Sequence, residues 1–388
     1  MQVILFDTAD RTTLYPFTGI RPVADIRIGI LTNRERWELL LKSKTFTLTE
    51  EYLQKKYPAA EGNSYLYVNA KLIPSVQLTE AIRLLPEEKG ITSDGKIIAL
   101  NSKQKLQYNF SKADCPGVNF LEWPANVQLL NYPFEIIQWS DAVMREDFSL
   151  ITAGKISKVI SSTNRFVSPE HIFIEEGAVV EHCIINASTG PVYIGKNSLL
   201  MEAAMIRGPF AMLEDSVVKM GSKIYGATTV GKQCTVGGEI KNTMFFDYSN
   251  KAHDGYTGDA VIGEWCNLGA GTSCSNIKNT AGGIKIWNQL LHQWISAGNK
   301  CGVMLGDYSK VAINSSLTTG MVSGICSNIL TEGLSVKYIK DFTWNIHTGE
   351  KYMFEKAIRD IENWMQLKNK TFTVADREIL EHIFNNKP

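Results

Sequence analysis

The chain has 388 residues, with forty Lys and Arg set against forty Asp and Glu, so its formal net charge at neutral pH is zero. That balance excludes a dominant electrostatic pull toward nucleic acid or acidic lipid and leaves room only for small basic pockets. Apolar residues make up 44% and charged ones 21%, the mix of a soluble globular protein, and the length suits two or three domains.

The start, Met1 to Phe6, has no basic region ahead of its short apolar run, so Val3–Phe6 reads as a first strand and not as a leader. Thr32-Asn33-Arg34-Glu35 has capping-box spacing and predicts a helix through Trp37–Leu41. Tyr65–Val68 reads as a strand, Ser75–Leu85 as a helix and Lys96–Leu100 as a strand. A helix over Glu135–Phe148 then closes a first domain, residues 1–150, whose alternating elements predict an α/β layer fold. No apolar stretch approaches the ~18 residues that span a bilayer. The seven cysteines, 115, 183, 234, 266, 274, 301 and 326, are odd in number and show no metal-ligand spacing. They argue for a reducing compartment, the cytoplasm, and against a disulfide scaffold.

Beyond about residue 165 the pattern changes. Ile194, Leu200, Ile206, Met212, Val218, Ile224, Val230 and Val236 recur every six residues, and four positions after most of them stands a small residue: Ser198, Ala204, Ser216, Ser222, Thr228, Cys234, with Phe210 the exception. The phase slips, then returns at Ile262, Leu268 and Thr272, and again at Leu305, Val311 and Leu317. A helix cannot keep a six-residue period on one face, and a flat strand alternates every two. A triangular coil can, with one inward aliphatic per side and a small residue in each corner. The segment 151–350 is therefore read as a parallel β-helix of hexapeptides, about 18 residues per coil. Between its two blocks, Ile277–Met304 is too long for a turn, and an insertion of that kind carries a function or packs as a lid. Residues 351–388 are a cap of two amphipathic helices: Phe354, Ile358, Ile361 and Met365 form one stripe, and Thr373 to Asp376 opens a second helix with Ile379, Leu380 and Ile383.

The densest polar cluster lies late in the first block. Lys241, Lys251, His253, Tyr256, Asp259, Asn267 and Asn276 fall within two coils. At 18 residues per coil, Lys241 would lie above Asp259 and His253 above Gly271. Such a set suits a phosphorylated amino sugar: lysine for the phosphate, asparagines for hydroxyls, histidine as a base. His171, His182, His292, His347 and His382 stand in no motif.

The run Lys251-Ala252-His253-x-x-Tyr256-x-Gly258-Asp259-Ala260-x-Ile262-Gly263, continuing through Asn267-x-Gly269-Ala270-Gly271-Thr272-x-Cys274-x-Asn276, resembles the acetyltransferase site of the bifunctional N-acetylglucosamine-1-phosphate uridyltransferase/glucosamine-1-phosphate acetyltransferases. Arg21-Pro22-Val23-Ala24, Gly29-Ile30-Leu31-Thr32, Asn69-Ala70, Arg145-Glu146-Asp147-Phe148 and Met304 to Lys310 fit a short two-domain variant of that family. The resemblance implies a reduced, Rossmann-like nucleotidyltransferase domain followed by a left-handed β-helix acyltransferase domain. It further implies His253 as general base, Lys241 and Lys223 at the phosphate, and Tyr256, Asn267 and Asn276 at the substrate or acetyl group. Lys223 stands where the family has an arginine, keeping the charge without the bidentate fork.

The first domain departs from that pattern. Where relatives have a glycine-rich loop for nucleotide phosphates, residues 3–14 contain no glycine, and Asn69 replaces a magnesium-binding aspartate. Asp7, Arg21 and Asn69 remain its candidate nucleotide-binding residues, with Mg2+ required only if the domain is active.

Three readings follow. The first is an acetyl-CoA-dependent N-acetyltransferase acting on an amino-sugar phosphate, for which the resemblance implies a homotrimer with sites between subunits, and with no nucleic-acid, membrane or protein-bound metal partner. The second is a sugar-1-phosphate nucleotidyltransferase whose β-helix only oligomerises. The third is a non-catalytic sugar-nucleotide-binding protein.

Overall fold

The computed structural model describes residues 1–386. Its first domain is a six-stranded mixed sheet in the order β2-β1-β3-β5-β4-β6. The strands are β1 (Gln2–Phe6), β2 (Thr45–Leu48), β3 (Tyr65–Asn69), β4 (Lys89–Ser93), β5 (Lys96–Ser102) and β6 (Asn119–Glu122). β1 runs parallel to β2 and β3, whereas β5 is antiparallel to both β3 and β4. Around the sheet lie α1 (Asn33–Leu41), the short α2 (Glu51–Gln54), α3 (Val76–Arg83) and α4 (Glu135–Thr152). The capping box read from Thr32 and Glu35 is present, each side chain meeting the other's backbone N–H.

From Arg165 to Ile339 the chain winds into a three-faced parallel β-helix of eight, nine and eight short strands. We call the faces first, second and third, in the order in which the chain enters them at Arg165–Val167, Ile172–Ile174 and Val179–Val180. The aliphatic series points inward and is buried throughout. The small residues sit in the corners for a polar reason as well as a steric one. Ser198 and Ser216 donate to the carbonyls of Gly195 and Leu213, each at 2.6 Å. Just before them Asn197 and Asp215 adopt left-handed backbone at φ 54° and 55°, a conformation that short polar side chains tolerate best after glycine.

The coil length is not constant, which corrects one expectation. Eighteen residues separate paired positions such as Ile194 and Met212 or Val218 and Val236. Near the polar cluster the spacing drops: Val236 faces Lys251, and Lys241 faces Gly258 rather than Asp259. The Gly271 N–H bonds the Asp254 carbonyl at 3.0 Å, so Gly271 does not stand opposite His253 as expected.

Around the polar cluster two of the three faces are covered. Met244, Val261, Met304 and Val322 of the second face share one buried cluster with Leu14, Val23, Phe134 and Ile136 of the first domain. The insertion joins that cluster: Lys285–Asn288 and Gln293–Ser296 form an antiparallel hairpin, with Ile284 and Ile286 buried against the first domain. It is a clasp between domains. Helices α5 (Phe354–Gln366) and α6 (Val374–Asn385) pack on Trp265, Tyr308 and Ile325, and Lys368 reaches Asn250 on the third face.

Candidate functional site

The first face keeps its outward side chains uncovered. One outward column reads Lys223, Glu239, Tyr256, and its neighbour reads Tyr225, Lys241, Gly258. Inward positions between them, Ile224, Ile240 and Thr257, are buried, so alternation aims the polar residues out. The Tyr225 hydroxyl donates to Glu239 at 2.8 Å, and the Lys241 ammonium lies 6.0 Å from the Tyr225 ring centre.

Gly258 makes room for the phenol. A Cβ built there would stand 2.2 Å from the Tyr256 hydroxyl and 2.9 Å from the Asn276 amide nitrogen, so any side chain would drive Tyr256 off this spot. Burial, with Tyr225, Asp259 and Glu239 nearby, pushes the Tyr256 phenol up to about 12. It is therefore a neutral hydroxyl at physiological pH. Asn276 is buried and donates to Asp259, whose other oxygen accepts from Asn242 at 2.6 Å.

The structure thus brings Lys223, Lys241, Tyr256 and Asn276 to one face. His253 occupies the turn that joins the third face to the first; it is exposed, and among the described residues its ring makes no hydrogen bond. Asn267 lies round the corner on the third face, paired with Asn250 and Lys310. The sequence reading passed over Tyr225. A register of 16 residues in place of 18 would have put it beside Lys241.

The candidate nucleotide residues of the first domain are spent internally. Asp7 is buried and accepts from Arg11 Nε at 3.0 Å, Thr49 Oγ1 at 2.7 Å and the Val23 N–H at 3.0 Å. Arg21 pairs with Asp307 of the β-helix, and the Asn69 amide joins Ile97 and Lys71. Ala9–Leu14, where a phosphate loop would stand, is a 3-10 helix that buries Arg11. Mg2+ asks for free oxygen ligands. Asn69, at the position of the magnesium-binding aspartate, brings an amide and not a carboxylate, and that amide is already engaged by Ile97 and Lys71; no cluster of three metal-binding side chains occurs among the described residues. The residues present do not fit the ion. Where the sequence suggested nucleotide ligands, the structure has internal anchors.

Residues 3–156 match the family described as sugar nucleotidyl transferase. Curated relatives include the bifunctional protein GlmU of Gloeobacter violaceus, 34% identical over 154 residues, 38% of this chain and 31% of that protein. The GlmU of Trichormus variabilis is 33% identical over 141 residues, covering 33% and 30%. Over this part the chain is similar to the bifunctional GlmU proteins. It spans about a third of the length of the curated relatives it matches. Among solved structures it is similar to the Francisella novicida UDP-N-acetylglucosamine acyltransferase, at 14% identity with a TM-score of 0.22, over 58% of this chain and 85% of that one. It is also similar to the polysialic acid O-acetyltransferase OatWY, at 16% identity with a TM-score of 0.20, over 48% and 78%.

Proposed function

We propose that this GlmU-like protein is an acetyl-CoA-dependent N-acetyltransferase acting on an amino-sugar phosphate, carried on a nucleotidyltransferase-like domain. One observation carries the reading. Lys223, Lys241, Tyr256 and Asn276 share the face of the prism that, at these coils, neither the first domain nor the terminal helices cover, with His253 at its corner.

In this reading the ammonium groups of Lys223 and Lys241 hold the phosphate, as point charges without a planar fork. Tyr256 and Asn276 donate to hydroxyl or acyl oxygens. The sugar amine attacks the thioester carbonyl, a C–N bond forms and the C–S bond breaks. The His253 imidazole takes the amine proton and passes it to the departing thiolate, so coenzyme A leaves as the thiol. A positioned base contributes about 10² to 10⁴ in rate. Backbone N–H groups of the neighbouring turns are the donors available to the oxyanion.

An open face needs a second wall. Ile184 and Met205 continue the Lys223 column and are 47% and 50% exposed, an apolar strip suited to another copy of the chain. We read the enzyme as a homotrimer with its sites between subunits. The seven buried free cysteines are consistent with work in the cytoplasm.

The test is coenzyme A release from acetyl-CoA and glucosamine-1-phosphate. His253→Ala should abolish release while leaving the melting temperature unchanged. Undiminished turnover in that variant defeats the proposal.

A further inference from the structure

The inward positions of the third face form an aliphatic column. Val180, Leu200, Val218 and Val236 precede the site, and Leu268, Val311 and Ile329 follow it. Between them, opposite Val236, stands Lys251, only 2% exposed. Among the described residues it makes no ion pair, although burying an unpaired ammonium is costly and an aliphatic residue fits this column everywhere else. Its Nζ donates to the backbone carbonyl of His253. Burial pushes the Lys251 amine down; the Cys274 thiol and the Asp254 carboxylate are the titratable groups that act on it.

The turn that Lys251 grips is held on its other sides as well. The Gly237 N–H bonds the Lys251 carbonyl at 2.8 Å from the coil before, and the Gly271 N–H bonds the Asp254 carbonyl at 3.0 Å from the coil after. A Cβ on Gly238 would lie 2.8 Å from the Gly255 carbonyl and 3.0 Å from that of His253. Gly255, at φ +123°, would place one 2.1 Å from the Thr272 carbonyl. Backbone packs on backbone above and below. Lys251 supplies the contact from within, at the residue whose side chain matters.

We propose that Lys251 is a positioning residue, an ammonium inside the prism that fixes the peptide of His253 and so the approach of its imidazole to the substrate amine. This rests on the reading of His253 as the base. A lysine kept for such a reason opposes stability, so replacing it should improve folding and damage turnover together.

The experiment is Lys251→Met in the full chain, beside His253→Ala. We expect the unfolding midpoint of Lys251→Met to stay the same or rise. KM for acetyl-CoA and glucosamine-1-phosphate should stay within about twofold, and kcat should fall about 10- to 100-fold, the scale of a small misplacement of a reacting group. Lys251→Gln, which keeps a donor for the carbonyl, should recover part of kcat. Full activity in folded Lys251→Met overturns the proposal, and so does failure of that variant to fold. An active His253→Ala would instead remove the base assignment itself, so the two failures are distinguishable.

Discussion

Arg21 and Asp307 meet end-on across the boundary between the two domains, Nη2 to Oδ1 at 2.8 Å and Nη1 to Oδ2 at 3.2 Å. Both are buried, and Glu264 lies 3.3 Å from the same guanidinium. Removing one partner of a buried pair leaves charge uncompensated. Arg21→Met strands two carboxylates at once and should cost about 3 to 5 kcal/mol. Urea unfolding followed by far-UV circular dichroism and tryptophan fluorescence should show one coincident transition, moved to lower urea, because the two domains share a core.

A second interdomain charge gives a pH dependence. Burial pushes Glu35 up, but Arg27, the Thr32 N–H and Lys232 of the β-helix together overcome it and hold the carboxyl at about 2 against the usual 4.5. A carboxylate held low in the folded state adds stability above its unfolded pKa and loses it on acidification. This contribution is therefore complete above about pH 4.5 and disappears toward pH 2. Glu35→Gln should lower stability at pH 7 and flatten the acid limb over that window. Unfolding free energies measured across it provide the check.

The hairpin clasp is open to a direct test. Ile286 is fully buried in the shared core. Ile286→Ala should cost about 2 to 5 kcal/mol, the range for deleting a buried aliphatic side chain. Differential scanning calorimetry should show one lowered peak. Turnover at 25 °C should hold, since the hairpin packs on the first domain and not on the first face.

Much of this architecture was legible in the chain. The capping box at Thr32 and Glu35 needs only local spacing, and so does the helix start at Thr373, where the side chain meets the Asp376 N–H at 3.2 Å. The hexads from Ile194 to Val236 show because each coil there has the same length. What was hidden depends on pairing over distance. Shortened coils shift Lys241 from Asp259 to Gly258, and no residue in the sequence marks the missing positions. Asp7 reads as a ligand until Arg11, Thr49 and Val23 are seen to use its oxygens. Lys251 reads as one more member of the polar cluster because inward aim is a matter of register, and Asn267 reads as a neighbour of Asn276 although a corner of the prism separates their faces.

The two ends of the hairpin emerge from the β-helix, yet its apolar residues complete the core of a domain built from the other end of the chain. The unit that must stay together is thus discontinuous in sequence. A recombination event or a truncation near residue 153 that carried away only the leading half would leave its hydrophobic plug behind. Any exchange of that half between relatives has to bring residues 284–301 with it.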